Sequence, residues 1–85
     1  MSAASPSRRL AEPRAVAVHA GSEGAPLALG ERPVEAVREE WVVEDRWWTG
    51  RPLRRRYFEL VLEDGVNVVV FRDLASGAWF AQRGA

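Results

Sequence analysis

From Arg14 onward the chain alternates short apolar stretches with breaks rich in Gly and Pro, the pattern of an all-β domain. The sequence AVAV at 15–18 predicts a first strand, and GSEG ends it. PLAL at 26–29 predicts a second strand, followed by a turn at GERP. Over Glu35 to Trp48 two periods compete. Val34, Val37 and Trp41 have helical spacing, but a helix would stack Glu35 on Glu39 and Glu40 on Glu44. Such like-charge pairs four residues apart oppose helix formation. Read as a strand, the odd positions hold Val37, Trp41, Val43 and Trp47, interrupted by Glu39 and Asp45, while the even positions are mostly polar. Period two fits better, and a strand is expected from about Val37.

The dipeptide Asp64-Gly65 is a two-residue hairpin signal, because a type I′ turn needs positive φ at both positions. It sets Leu60 opposite Val69, Phe58 opposite Phe71, Tyr57 opposite Arg72 and Arg56 opposite Asp73. Treating TGRP (49–52) as a four-residue loop then sets Trp48 opposite Leu53, Trp47 opposite Arg54, Asp45 opposite Arg56, Val43 opposite Phe58 and Trp41 opposite Leu60. On these registers one face collects Trp41, Val43, Phe58, Leu60, Val69 and Phe71, a patch that cross-strand contacts would stabilise. Beyond it lies a row in which Arg56 sits between Asp45 and Asp73. The other face is mixed, with Glu44, Tyr57 and Arg72 in one row. A last strand is expected from Ala78 to Arg83, with either Trp79 or Phe80 turned inward. Val16, Val18, Leu27, Leu29 and Val34 are the material left to cover the apolar face. The expected architecture is a small antiparallel β-barrel or roll of five to six strands at 14–85, preceded by a disordered arm at 1–13.

Composition narrows the function more than the fold. There is no Cys, so disulfides, thiolate metal sites and Cys nucleophiles are excluded. His19 is the only His and has no clustered partner in sequence. Glu44 and Asp45 would point to opposite faces and make no acid–base pair. The Glu63–Gly65 stretch is too short for a calcium loop. No catalytic residues, metal site or cofactor motif emerge. Net charge is zero, against a bulk electrostatic grip on nucleic acid. All twelve basic residues are Arg, a bias that also characterises chains from GC-rich genomes. No apolar run approaches the length of a membrane span, and the first ten residues lack the apolar region of a secretory signal, so a cytoplasmic protein is expected.

One region stands out. In EDRWWTGRPLRRRYFEL two Trp and several Arg crowd the end of the predicted strand pair. Neighbouring strand residues face opposite ways, so Trp47 and Trp48 cannot both be core. The bland reading is a hairpin end with its rings folded over the barrel and its guanidinium groups solvated. The functional readings are a contact surface for a protein partner, since Trp and Arg are common interface anchors, or a single-stranded nucleic-acid site using Trp stacking and Arg–phosphate contacts. Either would use Trp47, Trp48, Arg51, Arg54 and Arg55, extended by Tyr57 and Arg72. An incompletely covered apolar face would instead favour a homodimer.

The order of Trp47, Trp48, Arg55, Tyr57, Phe58, Gly65, Phe71, Arg72, Trp79 and Phe80 resembles a small bacterial domain common in actinobacteria. It is similar to the C-terminal segment of ImuB-type proteins, catalytically degenerate relatives of Y-family DNA polymerases that act as adaptors in damage-induced mutagenesis. The resemblance covers roughly Trp41 to Arg83. These 85 residues hold neither a polymerase core nor an obvious sliding-clamp-binding peptide. The resemblance transfers no catalytic residue. It implies a non-catalytic adaptor module, with a translesion polymerase or its adaptor as the expected protein partner.

Overall fold

The computed structural model describes residues 13–45 and 53–83. Among the described residues seven strands make one antiparallel sheet: β1 (Arg14–Ala15), β2 (Val18–Ala20), β3 (Pro26–Leu29), β4 (Arg32–Asp45), β5 (Leu53–Leu62), β6 (Asn67–Asp73) and β7 (Trp79–Arg83). Their spatial order is β1-β7-β6-β5-β4-β3-β2. The all-β expectation holds, and Glu35 to Asp45 is strand throughout. The expected arm falls almost wholly on residues 1–12, outside the described residues; Pro13 is exposed.

The expected first strand is split. β1 pairs with β7 and β2 with β3, so two segments separated only by Val16 and Ala17 lie at opposite ends of the sheet. Val16 N–H donates to the Trp79 carbonyl at 3.1 Å, and the Ala17 carbonyl accepts from Gly30 N–H at 2.8 Å. This one stretch binds both edges and curls the sheet into a half-barrel.

The inside of the curl holds Phe58, Leu60, Leu62, Val68, Val70, Ala81 and Leu29, all buried. Val16, Val18, Val34, Val66 and Trp79 pack around them. The N-terminal hairpin thus covers the core as expected, except that Leu27 points outward. Fully burying a side chain such as Phe58 or Leu60 contributes about 1.5–3 kcal/mol, and in a chain this small a few such groups carry most of the stability.

Both expected registers are corrected. In the β5–β6 hairpin Phe58 faces Val70, Leu60 faces Val68 and Tyr57 faces Phe71, one residue away from the type I′ pairing. The connection is Glu63-Asp64-Gly65: Gly65 has φ +88°, and its N–H donates to the Leu62 carbonyl at 2.8 Å. Asp64 Oδ1 also accepts from Val66 N–H at 3.1 Å. A three-residue loop needs positive φ only at its glycine. It also sets Val66 against Leu62, with Leu62 N–H bonded to the Val66 carbonyl at 2.9 Å. The two-residue turn would have set Asn67 there, facing the core. A shift of one residue moves side chains to opposite faces. Phe58 and Phe71 therefore lie on different faces.

The β4–β5 register is displaced by three residues. Asp45 and Glu44 face Leu53 and Arg54, where Trp48 and Trp47 were expected, and Trp41 faces Tyr57. The connection is then 46–52 rather than TGRP alone; it lies outside the described residues. The expected row of Asp45, Arg56 and Asp73 does not form. Arg56 faces Val42 and Arg72, and its Nε donates to Glu40 at 2.6 Å. Two irregularities in β4, between Val34 and Ala36 and between Val37 and Glu39, each insert one residue against β5. Such bulges bend and twist a strand, and here they explain why the alternation along β4 is interrupted.

Candidate interaction surface: the aromatic face and the edge of β4

The outer face of the sheet carries an aromatic row across four strands. Trp41 on β4 stacks on Tyr57 of β5, with centroids 5.3 Å apart and planes 6° from parallel. Tyr57 meets Phe71 of β6 at 5.0 Å, and Phe71 meets Phe80 of β7 at 5.2 Å. Cross-strand register places these four directly opposite one another. Phe80 therefore turns outward, while Trp79 turns inward onto Phe58 at 5.7 Å. Phe71, at 1% exposure, is the hub of this second cluster.

Arg55 lies over the hub, its guanidinium carbon 4.3 Å from the Phe71 centroid. Its Nη1 donates to the Tyr57 hydroxyl at 3.2 Å, while its Nε is buried with no partner. Asp73, opposite Arg55, turns its Oδ1 to the N–H groups of Ala75 and Ser76 and so holds the β6–β7 loop. The structure thus brings Arg55 and Tyr57 together. It does not bring Arg54 and Arg72 to them, because both point to the other face. Arg54 pairs with Glu44 at 3.2 Å, and Arg72 Nε donates to the Gly77 carbonyl at 3.4 Å. Trp47, Trp48 and Arg51 lie outside the described residues.

Arg56, on the inner face, is clamped. Besides Glu40, it donates to the Glu23 carbonyl at 3.4 Å and lies against Phe58, 4.9 Å from its centroid. The turn at Gly24, with φ +91°, makes this approach possible; a Cβ there would sit 2.7 Å from Arg56 Nη1. The loop of Asp64 is similarly tied by Arg32 at 3.0 Å. The Val66 N–H and then the Arg32 guanidinium hold the Asp64 carboxyl below the usual aspartate range.

The strand β4 presents a feature that the sequence reading missed. It is 14 residues long, but its neighbour β3 has four and pairs with it only at Arg32 and Pro33. From Val34 to Glu44, β4 is paired on one side, with β5; among the described residues no strand pairs with its other side. That edge displays Val37 at 39%, Trp41 at 37% and Val42 at 54% exposure. The available signal was length: a four-residue strand cannot cover one of this span.

Charge along the edge is uneven. Glu40 and Glu44 are neutralised by Arg56 and Arg54. Glu39, however, faces Glu59 directly across the β4–β5 ladder, beside the Trp41–Tyr57 stack. Like charges placed directly opposite are destabilising. Among the described residues no three His, Cys, Asp or Glu side chains gather into a metal site, and no helix is long and apolar enough to cross a membrane. No protein-family model, curated protein or solved structure matches this chain.

Proposed function

We propose that this chain is a non-catalytic protein-interaction module, an adaptor that docks its partner along β4. The outer edge of β4, which no described strand pairs from Val34 to Glu44, carries the reading, with Trp41 and Val42 exposed on its two faces. Unpaired backbone groups on an edge strand can accept a further strand, and flanking side chains supply the selectivity. Natural proteins blunt such edges with Pro, charged side chains, β-bulges or a short length. The two bulges and several charges lie along this edge, but from Glu39 to Glu44 it is regular, lacks Pro and exposes Trp41 and Val42. The resemblance to the ImuB-type segment supplies the setting, with a translesion polymerase or its adaptor as the partner.

The test is binding of the full chain to purified damage-tolerance proteins, measured by interferometry. One of them should bind the wild-type chain and lose at least tenfold affinity with Val42→Asp, whose fold is checked by circular dichroism. Undiminished binding by Val42→Asp would place the contact elsewhere. The nucleic-acid alternative draws support from the row of rings, which resembles a stacking platform. The neighbouring charges oppose it: Glu39 and Glu59 border the row, and Arg55 is occupied by Phe71 and Tyr57. Quenching of Trp fluorescence by an oligonucleotide at low salt would favour that alternative.

A further inference from the structure

The chemistry of the edge narrows the occupant. From Val34 to Glu44 it carries the carboxylates Glu35, Glu39, Glu40 and Glu44 against one guanidinium, Arg38. We propose that the docked segment is an extended peptide of alternating basic and apolar residues, with a Lys or Arg side chain meeting Glu39 and Glu59 beside the Trp41–Tyr57 stack. This rests on the docking reading above and specifies what docks.

An added strand lies about 4.8 Å from β4, and its side chains alternate between the faces as those of β4 do. On the outer face the incoming residues meet Glu39, Trp41 and Val43 in turn. Glu39 and Glu59 face each other across the ladder, and among the described residues neither has an ion pair. A cation placed there relieves their repulsion and lies next to the face of an indole, an arrangement that attracts Lys and Arg. The next residues on that face meet Trp41 and Val43 and are apolar. On the inner face Glu40 and Glu44 already hold Arg56 and Arg54. The exposed group between them is Val42, which calls for an apolar neighbour. Demand for positive charge is therefore local to the outer face. A second copy of this chain is a poor occupant, because two such edges would set acidic strands against each other.

The experiment selects a phage-displayed library of randomised dodecapeptides on the immobilised full chain, then titrates enriched peptides into 15N-labelled protein. Enriched sequences should alternate Lys or Arg with Val, Ile, Leu or aromatic residues. They should shift the amides of 34–45 and the Trp41 indole N–H. Their affinity should fall several-fold as salt rises, and about tenfold for the double variant Glu39→Gln, Glu59→Gln. That variant should melt no lower than the wild type, because a like-charge pair has been removed; a merely structural role would lower both. Neutral or acidic peptides that shift β4 would overturn the basic occupant and leave β4 docking intact. Peptides that shift other regions, or a library without enrichment, would overturn both. A dimer in sedimentation at micromolar concentration, with 34–45 protected from exchange, would also overturn the proposal and assign the edge to a second copy.

Discussion

The two faces of this sheet both bury a phenylalanine, and they do so differently. Inside the curl, Phe58 is enclosed by aliphatic side chains from β3, β5, β6 and β7, with Trp79 beside it and the Arg56 guanidinium against its ring. Outside, Phe71 is covered by other rings and by the guanidinium of Arg55, and the row ends at a half-exposed Trp41. The first arrangement excludes water from all sides and serves folding. The second excludes it only at the centre and leaves a ring at the rim, beside a backbone edge that no described strand pairs. Burial of a large aromatic therefore says little about its role unless the face is known.

The sharpest way to break this comparison is to remove each hub. Phe58→Ala should cost about 3–5 kcal/mol, as large-to-small changes in enclosed cores do. A domain of this length has about 4–13 kcal/mol in all, so urea titration should show most of its stability gone. Phe71→Ala should cost less, about 2–3 kcal/mol, because the cost depends on how far the surroundings can close in and the outer rings have room to do so. Equal losses would mean that the outer cluster is a second core and not a surface.

Smaller effects sharpen the picture. Gly24→Ala should destabilise by about 1–3 kcal/mol, from left-handed backbone strain and displacement of Arg56; differential scanning calorimetry would read this as a lowered midpoint. Trp41→Ala should cost only about 1 kcal/mol, the scale of one stacked aromatic pair, or roughly 4–8 °C in Tm. A far larger drop would move Trp41 into the folding core. The smallest effect concerns Asp64. Its folded pKa is depressed, so its stabilising contribution is present above the unfolded value near pH 4 and is lost as pH falls through the lower folded value. Asp64→Asn should slightly lower stability at neutral pH, leave it unchanged at pH values below the folded pKa, and so flatten the acid limb of the stability curve.

Much of the fold was legible in the chain, because strand formation depends on local pattern and composition. The like-charge pairs that oppose a helix at Glu35 to Glu44 predicted β4, the Gly–Pro breaks predicted the turns, and the apolar residues of the N-terminal hairpin predicted what would cover the core. Of the candidate site, the proximity of Arg55 and Tyr57 follows from their spacing of two on one strand. Facing partners were a different matter. Asp64-Gly65 suits a two-residue or a three-residue connection almost equally from sequence, and the difference of one residue exchanges the faces of Phe58 and Phe71. The choice was made by packing, which favours Val66 over Asn67 against Leu62, and by the bulges in β4, which bring Trp41 to Tyr57. Local propensity thus determined that this chain makes strands, and roughly where. Which residues became core, which became surface and which edge stayed open were decided only when the strands came together, because register is set by contacts between residues distant in the chain.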